Sequence, residues 1–312
     1  MDLCQPQFLY ENEQMESKIK KRIEEIISQA LNKKISGLQF NPVGGGSINQ
    51  TFQIVTPSNQ RYCCKINSVQ RFPLLFTKEK NGLEFLANQH IIRVPRIIAC
   101  EESEGTQVLI MEWIGQGLET EQCWRKFGEQ LAALHKITWL TSDQQNWFGL
   151  NEDNYMGALP QSNTPSKTWV EFFIHQRMEP QIKLAVDNDL LDGNAVIRFN
   201  NLYKNLSDIF TDERSSLLHG DLWKGNFLCD QRNQPVLIDP AVYFGHRSID
   251  LAMTTLFGGF DKTFYEVYDY YFSLPKNHRT QWQICNLYPL LIHLNLFGQG
   301  YRLAILNTIA HF

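Results

Sequence analysis

The residues most suited to chemistry lie between positions 219 and 239. His219, Asp221 and Asn226 have the spacing H-x-D-x-x-x-x-N, and Asp239 follows further along the chain. Phosphoryl transfer requires a group that accepts or orients a hydroxyl proton, and cations that neutralise the phosphates. Asp221 suits the first role. Asn226 and Asp239 offer oxygen ligands of the kind that Mg²⁺ prefers, so this stretch predicts magnesium-assisted phosphoryl transfer.

A short hairpin is predicted to bring the two metal ligands together. Residues 226–229 and 235–238 have the composition of strands, and residues 230–234 form a polar turn between them. In an antiparallel hairpin the start of the first strand lies beside the end of the second. We therefore expect Asn226 and Asp239 to be neighbours in space. The alternative is that Asp221 is a turn residue and that the other two cap secondary-structure elements.

A glycine-rich segment near the N-terminus is a second candidate for phosphate binding. It lies between two predicted strands and consists of Gly44, Gly45, Gly46, Ser47, Ile48 and Asn49. Without Cβ atoms, backbone N–H groups can approach phosphate oxygens closely. The segment is not a Walker A loop, because no Gly-Lys-Ser/Thr follows, and a plain hairpin tip is the alternative.

A lysine inside an apolar strand strengthens the nucleotide-binding interpretation. Lys65 lies in the predicted strand 61–66, where its charge requires an anionic partner. The helix predicted over residues 76–89 contains two candidates, Glu79 and Glu84. We favour Glu79, because a strand lysine paired with a helix glutamate near this distance is the pattern with which kinases hold the α- and β-phosphates.

Two further strands, 97–100 and 107–111, are predicted around a turn at residues 103–105. Glu112, Trp113 and Ile114 leave the second strand and are candidates for a hinge whose backbone could contact an adenine edge; an ordinary strand exit is the alternative. From residue 119 the pattern is helical, with a long loop predicted over residues 141–168 as a wall of a substrate site. Asp250 is predicted to bond to the backbone of the catalytic loop.

Composition excludes several classes of protein. The 312 residues are 43% hydrophobic with a net charge of −4, which favours a sizeable core and gives no support for nucleic-acid binding. Seven scattered cysteines without a C-x-x-C pair predict reduced thiols and a cytoplasmic protein. The polar N-terminus does not resemble a signal peptide. The sequence contains no run of 18 apolar residues, so no membrane span is predicted. An amphipathic helix is predicted over residues 13–32.

Taken together, these motifs resemble the fructosamine kinase family, which is related to aminoglycoside phosphotransferases. HGDLWKGN at 219–226 is the most specific match. The others are GGGSIN at 44–49, FG-x3-DNY-x-G-x2-PQ-x-N at 148–163, W-x2-FF-x3-R at 169–177, DPA-x-Y-x-GH at 239–246, D-x-AM-x3-FGGF at 250–260 and H-x-N-x-FG at 293–298.

The resemblance implies an α+β, protein-kinase-like fold with a small N-terminal lobe (residues 1–114) and a larger helical lobe (115–312). It implies ATP-dependent phosphorylation of the 3-hydroxyl of ketosamines, small or attached to protein lysines, which leads to deglycation. Asp221 would be the base, Asn226 and Asp239 would bind Mg²⁺, and Trp223 and His293 would contact substrate. ATP would be held by Lys65, Glu79, the glycine-rich segment and the 112–114 hinge. The protein is expected to be a monomer or a homodimer.

Two alternatives stay open on the sequence. One is another small-molecule kinase of this fold, acting on an aminoglycoside or choline. The other is a pseudokinase that only binds, which the presence of Lys65, Asp221 and Asp239 disfavours. The chain also departs from some family members in one respect. Ser47 stands where those members carry a cysteine, so redox control through a disulfide of this loop is not expected.

Overall fold

The computed structural model describes residues 13–44, 48–210 and 212–312. The chain divides into two compact units. The first comprises Met1–Glu84 and Val94–Gly115, and the second comprises Phe85–Arg93 and Gln116–Phe312.

The first unit is built on a five-stranded antiparallel sheet. Its strands in chain order are β1 (Gln39–Pro42), β2 (Gln50–Val55), β3 (Arg61–Ser68), β4 (Ile97–Ser103) and β5 (Thr106–Glu112). They lie in the order β1-β2-β3-β5-β4. The apolar stretches of β3 and β5 lie in the middle of the sheet and are its most buried parts. The two strands predicted around the turn at 103–105 are confirmed as β4 and β5.

Helix α1 (Glu13–Ala30) packs on this sheet, as its apolar spacing predicts. Isoleucines that recur every three or four residues share one face of a helix. Those of α1 enter one buried cluster with side chains of β2, β3 and β5. The cluster contains Ile23, Ile26, Ile27, Ile54, Tyr62, Cys64, Ile66, Val108 and Ile110.

Helix α2 (Leu75–Ala87) is fastened to the sheet by one buried glutamine of β5. The side-chain oxygen of Gln107 accepts a hydrogen bond from the N–H of Phe76 at 3.0 Å. Its amide nitrogen donates to the carbonyl oxygens of Phe72 (2.6 Å) and Ser68 (3.1 Å). Because the first N–H groups of a helix have no partner within the helix, this contact holds the start of α2 at a defined place.

The second unit is mainly helical. Its α-helices are α3 (Glu121–His135), α4 (Trp169–Phe172), α5 (Glu179–Asp187), α6 (Gly193–Tyr203), α7 (Leu206–Ile209), α8 (Ser248–Met253), α9 (Lys262–Tyr271), α10 (His278–Cys285), α11 (Leu287–Phe297) and α12 (Arg302–Ile309). A π-helical segment, Phe173–Met178, joins α4 to α5. Short 3₁₀ turns cover Lys224–Asn226 and Gln299–Tyr301.

Three small antiparallel pairs complete this unit. Their strands are β6 (Asn154–Met156), β7 (Leu159–Gln161), β8 (Ser216–Leu218), β9 (Phe227–Cys229), β10 (Pro235–Leu237) and β11 (Tyr243–Gly245). β6 pairs with β7, β8 with β11 and β9 with β10. The predicted catalytic hairpin is therefore present as β9 and β10. Asn226, predicted to open its first strand, instead ends the 3₁₀ turn that precedes β9.

Sequence patterns predict longer helices than the second unit contains. Residues 194–210 and 281–297 each have the sequence pattern of one continuous helix, but the structure divides the first into α6 and α7 and the second into α10 and α11. Pro289 accounts for the second division, because it cannot donate the hydrogen bond that would continue α10. The loop predicted over 141–168 contains the β6–β7 hairpin. No helix in the described part of the chain is long and apolar enough to cross a membrane.

Aromatic packing holds the catalytic hairpin against α3. The ring of Phe227, the first residue of β9, stacks on Trp124 at 4.5 Å and lies 4.7 Å from the ring of Phe127. Helix α9 packs closely on α3, since a Cβ added to Gly128 would lie 2.7 Å from the carbonyl oxygen of Phe264. The hairpin therefore begins on a rigid aromatic support.

Candidate active site

In the first unit, the predicted lysine–glutamate pair is present. Lys65 is only 5% exposed, and its Nζ lies 2.7 Å from Oε1 of Glu79 on α2. Glu84, the rival candidate, lies 4.0 Å from Lys80 instead. A buried ammonium group requires such a partner. The predicted pairing is confirmed, and the phosphate-holding role of the pair stays a prediction.

The glycine-rich segment joins β1 to β2, so the predicted strand-to-strand context is confirmed. Gly45, Gly46 and Ser47 lie outside the described residues. At the end of the segment, the buried Asn67 on β3 donates from Nδ2 to the carbonyl oxygen of Ile48 (3.3 Å) and to Oδ1 of Asn49 (2.6 Å). These bonds fix the end of the segment to the sheet.

The predicted hinge residues leave β5 at its last residue, Glu112. The N–H of Glu112 donates to the carbonyl oxygen of Arg96 at 2.8 Å, so that donor is already used within the sheet. The N–H of Glu112 is therefore not the group that would contact an adenine edge. Trp113 and Ile114 follow in irregular backbone, and Ile114 is buried.

In the second unit, the catalytic loop makes a turn that only glycine fits. Gly220 has a φ of +84°, and a Cβ added there would lie 2.0 Å from the carbonyl oxygen of Ala241. The preceding His219 is fully buried. Its Nε2 donates to the carbonyl oxygen of Ile238 at 2.9 Å, and its Nδ1 accepts the N–H of Asp221 at 3.3 Å. His219 thus ties the loop to the end of β10.

Asp250 on α8 holds the backbone of this loop, as predicted. Its carboxylate is fully buried and accepts hydrogen bonds from the N–H groups of His219 (2.8 Å) and Gly220 (2.9 Å). Nε2 of His135 lies 3.2 Å from the same carboxylate, and Nδ1 of His135 lies 2.8 Å from the Tyr268 hydroxyl. Burial lowers the pKa of both His135 and His219, although Asp250 opposes the shift, so both rings are neutral.

Asn226 and Asp221 contact each other within the loop. Nδ2 of Asn226 donates to the carbonyl oxygen of Asp221 and to its carboxylate Oδ2, both at 2.9 Å. Because both bonds use the amide nitrogen, the amide oxygen of Asn226 is left for a different partner. A neutral oxygen beside a carboxylate suits Mg²⁺.

The hairpin register places Asp239 beside Asn226. Leu237 pairs with Phe227, and the N–H of Ile238 donates to the carbonyl oxygen of Asn226 at 3.1 Å. The prediction that Asn226 and Asp239 are neighbours in space is therefore confirmed for their backbones. Asp239 has a φ of +55°, in the left-handed region that Asp and Asn adopt more readily than other residues with side chains.

The donor set of this region fits a metal that is shared with phosphates. The described residues contain no group of three or more His, Cys, Asp or Glu side chains that could hold a metal ion. Asn226 and Asp239 would supply only two oxygen atoms. Mg²⁺ usually keeps several waters and binds through one or two protein ligands plus substrate phosphates, so two ligands are sufficient.

The two residues predicted to contact substrate belong to one aromatic cluster. Phe257 connects them: its ring centre lies 6.0 Å from that of Trp223 and 4.7 Å from that of His293. Tyr301 lies 5.1 Å from His293. Phe257 belongs to the motif matched at 250–260 but is not among the residues predicted to contact substrate, and no sequence pattern singles out Tyr301. Asn295, two residues after His293, does not belong to this cluster: its Nδ2 donates to the carbonyl oxygen of Gln181 at 3.0 Å.

His293 is a neutral hydrogen-bonding group in this cluster. Its Nδ1 lies 2.7 Å from the carbonyl oxygen of Pro289, so Nδ1 carries the proton. Burial lowers the pKa of His293, and the bond to Pro289 opposes the shift only partly. The ring therefore keeps Nε2 as an acceptor, which suits a sugar hydroxyl.

Comparison with known proteins identifies the family. The sequence profile of fructosamine kinases matches residues 19–312. The chain belongs to the fructosamine kinase family. A protein of Synechocystis named as a probable ketoamine kinase is 35% identical over 276 residues, which are 88% of this chain and 90% of the relative. The chloroplastic protein-ribulosamine 3-kinase of Arabidopsis thaliana is 34% identical over 276 residues, which are 87% of this chain and 81% of the relative.

Solved structures agree with this assignment. A crystal structure from Thermobifida fusca, provisionally named a fructosamine-3-kinase, superposes with a TM-score of 0.81 at 28% identity, covering 92% of this chain and 97% of that one. An aminoglycoside-3'-phosphotransferase of type VIII has a TM-score of 0.52 at 16% identity, covering 84% and 98%. The predicted kinase-like α+β fold and the prediction of a phosphotransferase are confirmed. Membership of a kinase family implies the use of ATP.

Buried histidines in the second unit should make the stability of this family member depend on pH. Burial lowers the pKa of His246 to about 4; Glu213 opposes the shift, and Arg247 and His135 add to it. An unfolded chain protonates histidine near pH 6.5, so between pH 6.5 and about 4 the unfolded state binds more protons. The free energy of unfolding should therefore fall as pH decreases through this window.

The test is equilibrium urea unfolding at pH 7 and pH 5. Replacing His246 by Gln should reduce the difference between the two pH values by about 2 kcal/mol. His175 is exposed, so His175→Gln should leave the difference unchanged. An unchanged difference in His246→Gln would show that His246 is not neutral in the native state.

Proposed function

We propose that this protein uses ATP and Mg²⁺ to phosphorylate the 3-hydroxyl group of ketosamines. The observation that carries the proposal is the contact between Asn226 and the Asp221 carboxylate, with Asp239 beside them across the hairpin. Family membership supports the ketosamine class, and the Arabidopsis relative named protein-ribulosamine 3-kinase supports the position of transfer. Resemblance to the family further implies that the 3-phosphate is unstable and that the amine is released.

Asp221 would act as the general base. A carboxylate has about four lone-pair sites, so the bond from Asn226 orients Asp221 and still leaves it able to accept a hydroxyl proton. The backbone of the loop is fixed through Asp250, which limits movement of Asp221 relative to the substrate. Such positioning is the main contribution of a protein to phosphoryl transfer.

Lys65 and Glu79 would position the phosphates of ATP, together with the segment from Gly44 to Asn49. Mg²⁺, held by Asn226 and Asp239, would neutralise charge on the phosphates. Among the residues of this chain, Asp239 would contribute a full negative charge and Asn226 a neutral oxygen, a pair that suits a metal already bound to anionic phosphates.

The aromatic cluster would contact the ketosamine. Aromatic rings such as Trp223 and Phe257 offer flat apolar faces, and neutral His293 offers an acceptor for a hydroxyl. The amine of the ketosamine is either a free small molecule or a lysine of a glycated protein, and the substrate panel below distinguishes the two. A cytoplasmic location and a monomeric or homodimeric state also stay predictions.

The substrate class is tested by measuring ATP consumption with Mg²⁺ on a panel. The panel contains ribulosyl-lysine, fructosyl-lysine, a glycated protein, choline and kanamycin. We expect turnover on ketosamines only, and their ranking would identify the sugar. Turnover on choline or kanamycin alone would agree with the assignment as a kinase but would contradict the proposed substrate class. ATP binding without any turnover would support the pseudokinase alternative.

The base is tested with Asp221→Asn, which preserves size and removes the ability to accept a proton. We expect kcat to fall by about 10²- to 10⁴-fold while the Kd for ATP stays unchanged. Asp208→Asn, on the exposed surface of α7, is the matched control and should keep full turnover. If Asp221→Asn turned over within twofold of the wild type, Asp221 would not be the base.

The metal ligand is tested with Asp239→Asn, because asparagine tolerates the positive φ of this position. We expect the Mg²⁺ concentration that half-saturates nucleotide binding to rise about tenfold or more, since a charged ligand is lost. Nucleotide binding in EDTA should not change. Titration calorimetry at several Mg²⁺ concentrations measures both. An unchanged Mg²⁺ requirement would remove Asp239 from the proposed site.

A further inference from the structure

The segment after Asp239 is pressed against the catalytic loop. The N–H of Ala241 donates to the carbonyl oxygen of His219 at 2.9 Å, and the carbonyl oxygen of Ala241 lies at the position that a Cβ on Gly220 would need. This segment carries Asp239 at one end, and Gly220 directly precedes Asp221. A shift of Ala241 would therefore displace both the base and the metal ligand.

The β6–β7 hairpin holds this segment from its other side. Nδ2 of Asn154 donates to the carbonyl oxygen of Val242 at 2.9 Å. Nε2 of Gln161 donates to Oδ1 of Asn154 at 2.8 Å and, more weakly, to the carbonyl oxygen of Ala241 at 3.4 Å. Asn154 and Gln161 are a cross-strand pair of the hairpin, so the two amides act on adjacent carbonyl groups. These side chains are thus used inside the fold, although the sequence suggests a substrate wall here.

The direction of each hydrogen bond is set by a donor deeper in the unit. Arg177 can only donate, and its Nη2 lies 2.7 Å from Oδ1 of Asn163. The amide nitrogen of Asn163 must then donate, and it does so to Oδ1 of Asn154 at 3.1 Å. Asn154 is left with its own amide nitrogen facing Val242. Both asparagine orientations therefore follow from the charge of Arg177.

Tyr288 on α11 has the same effect on Gln161. Its hydroxyl donates to Oε1 of Gln161 at 2.7 Å, which turns the amide nitrogen of Gln161 toward Ala241. Tyr288 stays protonated because burial raises its pKa; Arg177 opposes the shift, and Tyr243 and Asp221 add to it.

Arg177 is a fully buried cation whose hydrogen-bond partners in the described part of the chain include the neutral oxygen atoms of Ser162 and Asn163. The described residues place no carboxylate within ion-pair distance of its guanidinium group, which lies 4.0 Å from the ring centre of Tyr243 and 4.5 Å from that of Phe172. Ring faces stabilise a cation, and in surroundings of low polarity each hydrogen bond strengthens the next. The π-helical segment 173–178, an insertion often found at functional sites, carries Arg177.

We propose that Tyr288, Gln161 and Arg177 are positioning residues for phosphoryl transfer. They act through the carbonyl groups of Ala241 and Val242 on the placement of Asp221 and Asp239, and they touch no substrate. This inference rests on the proposed function for its catalytic consequence, whereas its structural part can be measured without any substrate.

The kinetic test uses Tyr288→Phe, which removes one hydroxyl and keeps the packed ring. We expect kcat to fall about 10- to 100-fold with KM for ATP within about twofold of the wild type. Tyr265→Phe is the matched control, because it removes a similar hydroxyl whose bond, to Thr254 at 2.9 Å, lies outside the 238–243 segment. It should lower Tm by a similar amount without reducing kcat. Equal kcat in Tyr288→Phe and the wild type would overturn the proposal.

A double variant tests whether Tyr288 acts through the base. Once Asp221 is replaced by Asn, adding Tyr288→Phe should lower the residual kcat by a clearly smaller factor than in the wild type, because only the part that acts through Asp239 is left to lose. A full additional loss would mean that Tyr288 acts elsewhere and would overturn the proposal.

Hydrogen exchange tests the structural part independently. In Tyr288→Phe, amides of the 238–243 segment should exchange at least about tenfold faster than in the wild type, and in Tyr265→Phe they should not. Unchanged exchange would overturn the positioning role even if kcat fell. A wild type that turned over no ketosamine would count against the proposed function alone, because this exchange result does not depend on substrate.

Discussion

The buried carboxylate of Asp250 is the constraint on which the catalytic loop depends. Two consecutive backbone N–H groups, those of His219 and Gly220, donate to it, and His135 provides a third contact. A loop that turns away from regular structure leaves such N–H groups without partners, and burying them unsatisfied costs about 1–3 kcal/mol each. One carboxylate removes that cost and brings α3, α8 and the loop into a single arrangement.

The neutral ring of His219 adds to this constraint, because one of its nitrogen atoms donates a hydrogen bond and the other accepts one. His219 donates from Nε2 to Ile238 and accepts at Nδ1 from Asp221, a combination that only the neutral ring provides. The loop is therefore linked to the hairpin end without a second buried charge. A protonated ring would lose its acceptor and would release the N–H of Asp221.

Much of this arrangement could be predicted from local patterns. The Lys65–Glu79 pair, the hairpin and the role of Asp250 follow from spacing, from strand pairing and from the cost of burying charge. Contacts that depend on packing between distant segments could not be predicted. Arg177 reaches Asn163 because a π-helical segment offsets its helix, and nothing in the spacing of W-x2-FF-x3-R shows where the guanidinium points. The boundary between α10 and α11 lies at Asn286, three residues before Pro289. The proline could have predicted it, but the apolar residues around the proline have the pattern of one continuous helix.

The contact between Trp223 and Gly225 has a consequence for how this enzyme family can diversify. A Cβ at Gly225 would lie 2.3 Å from the indole ring, so the ring lies directly on the backbone that leads into Asn226. The side chain predicted to contact the acceptor thus also packs on the loop that carries Asn226, a predicted metal ligand. Any exchange of Trp223 would therefore also remove a contact that supports the backbone before Asn226. Variation is easier at Phe257 and Tyr301, which contact the same cluster from outside that loop.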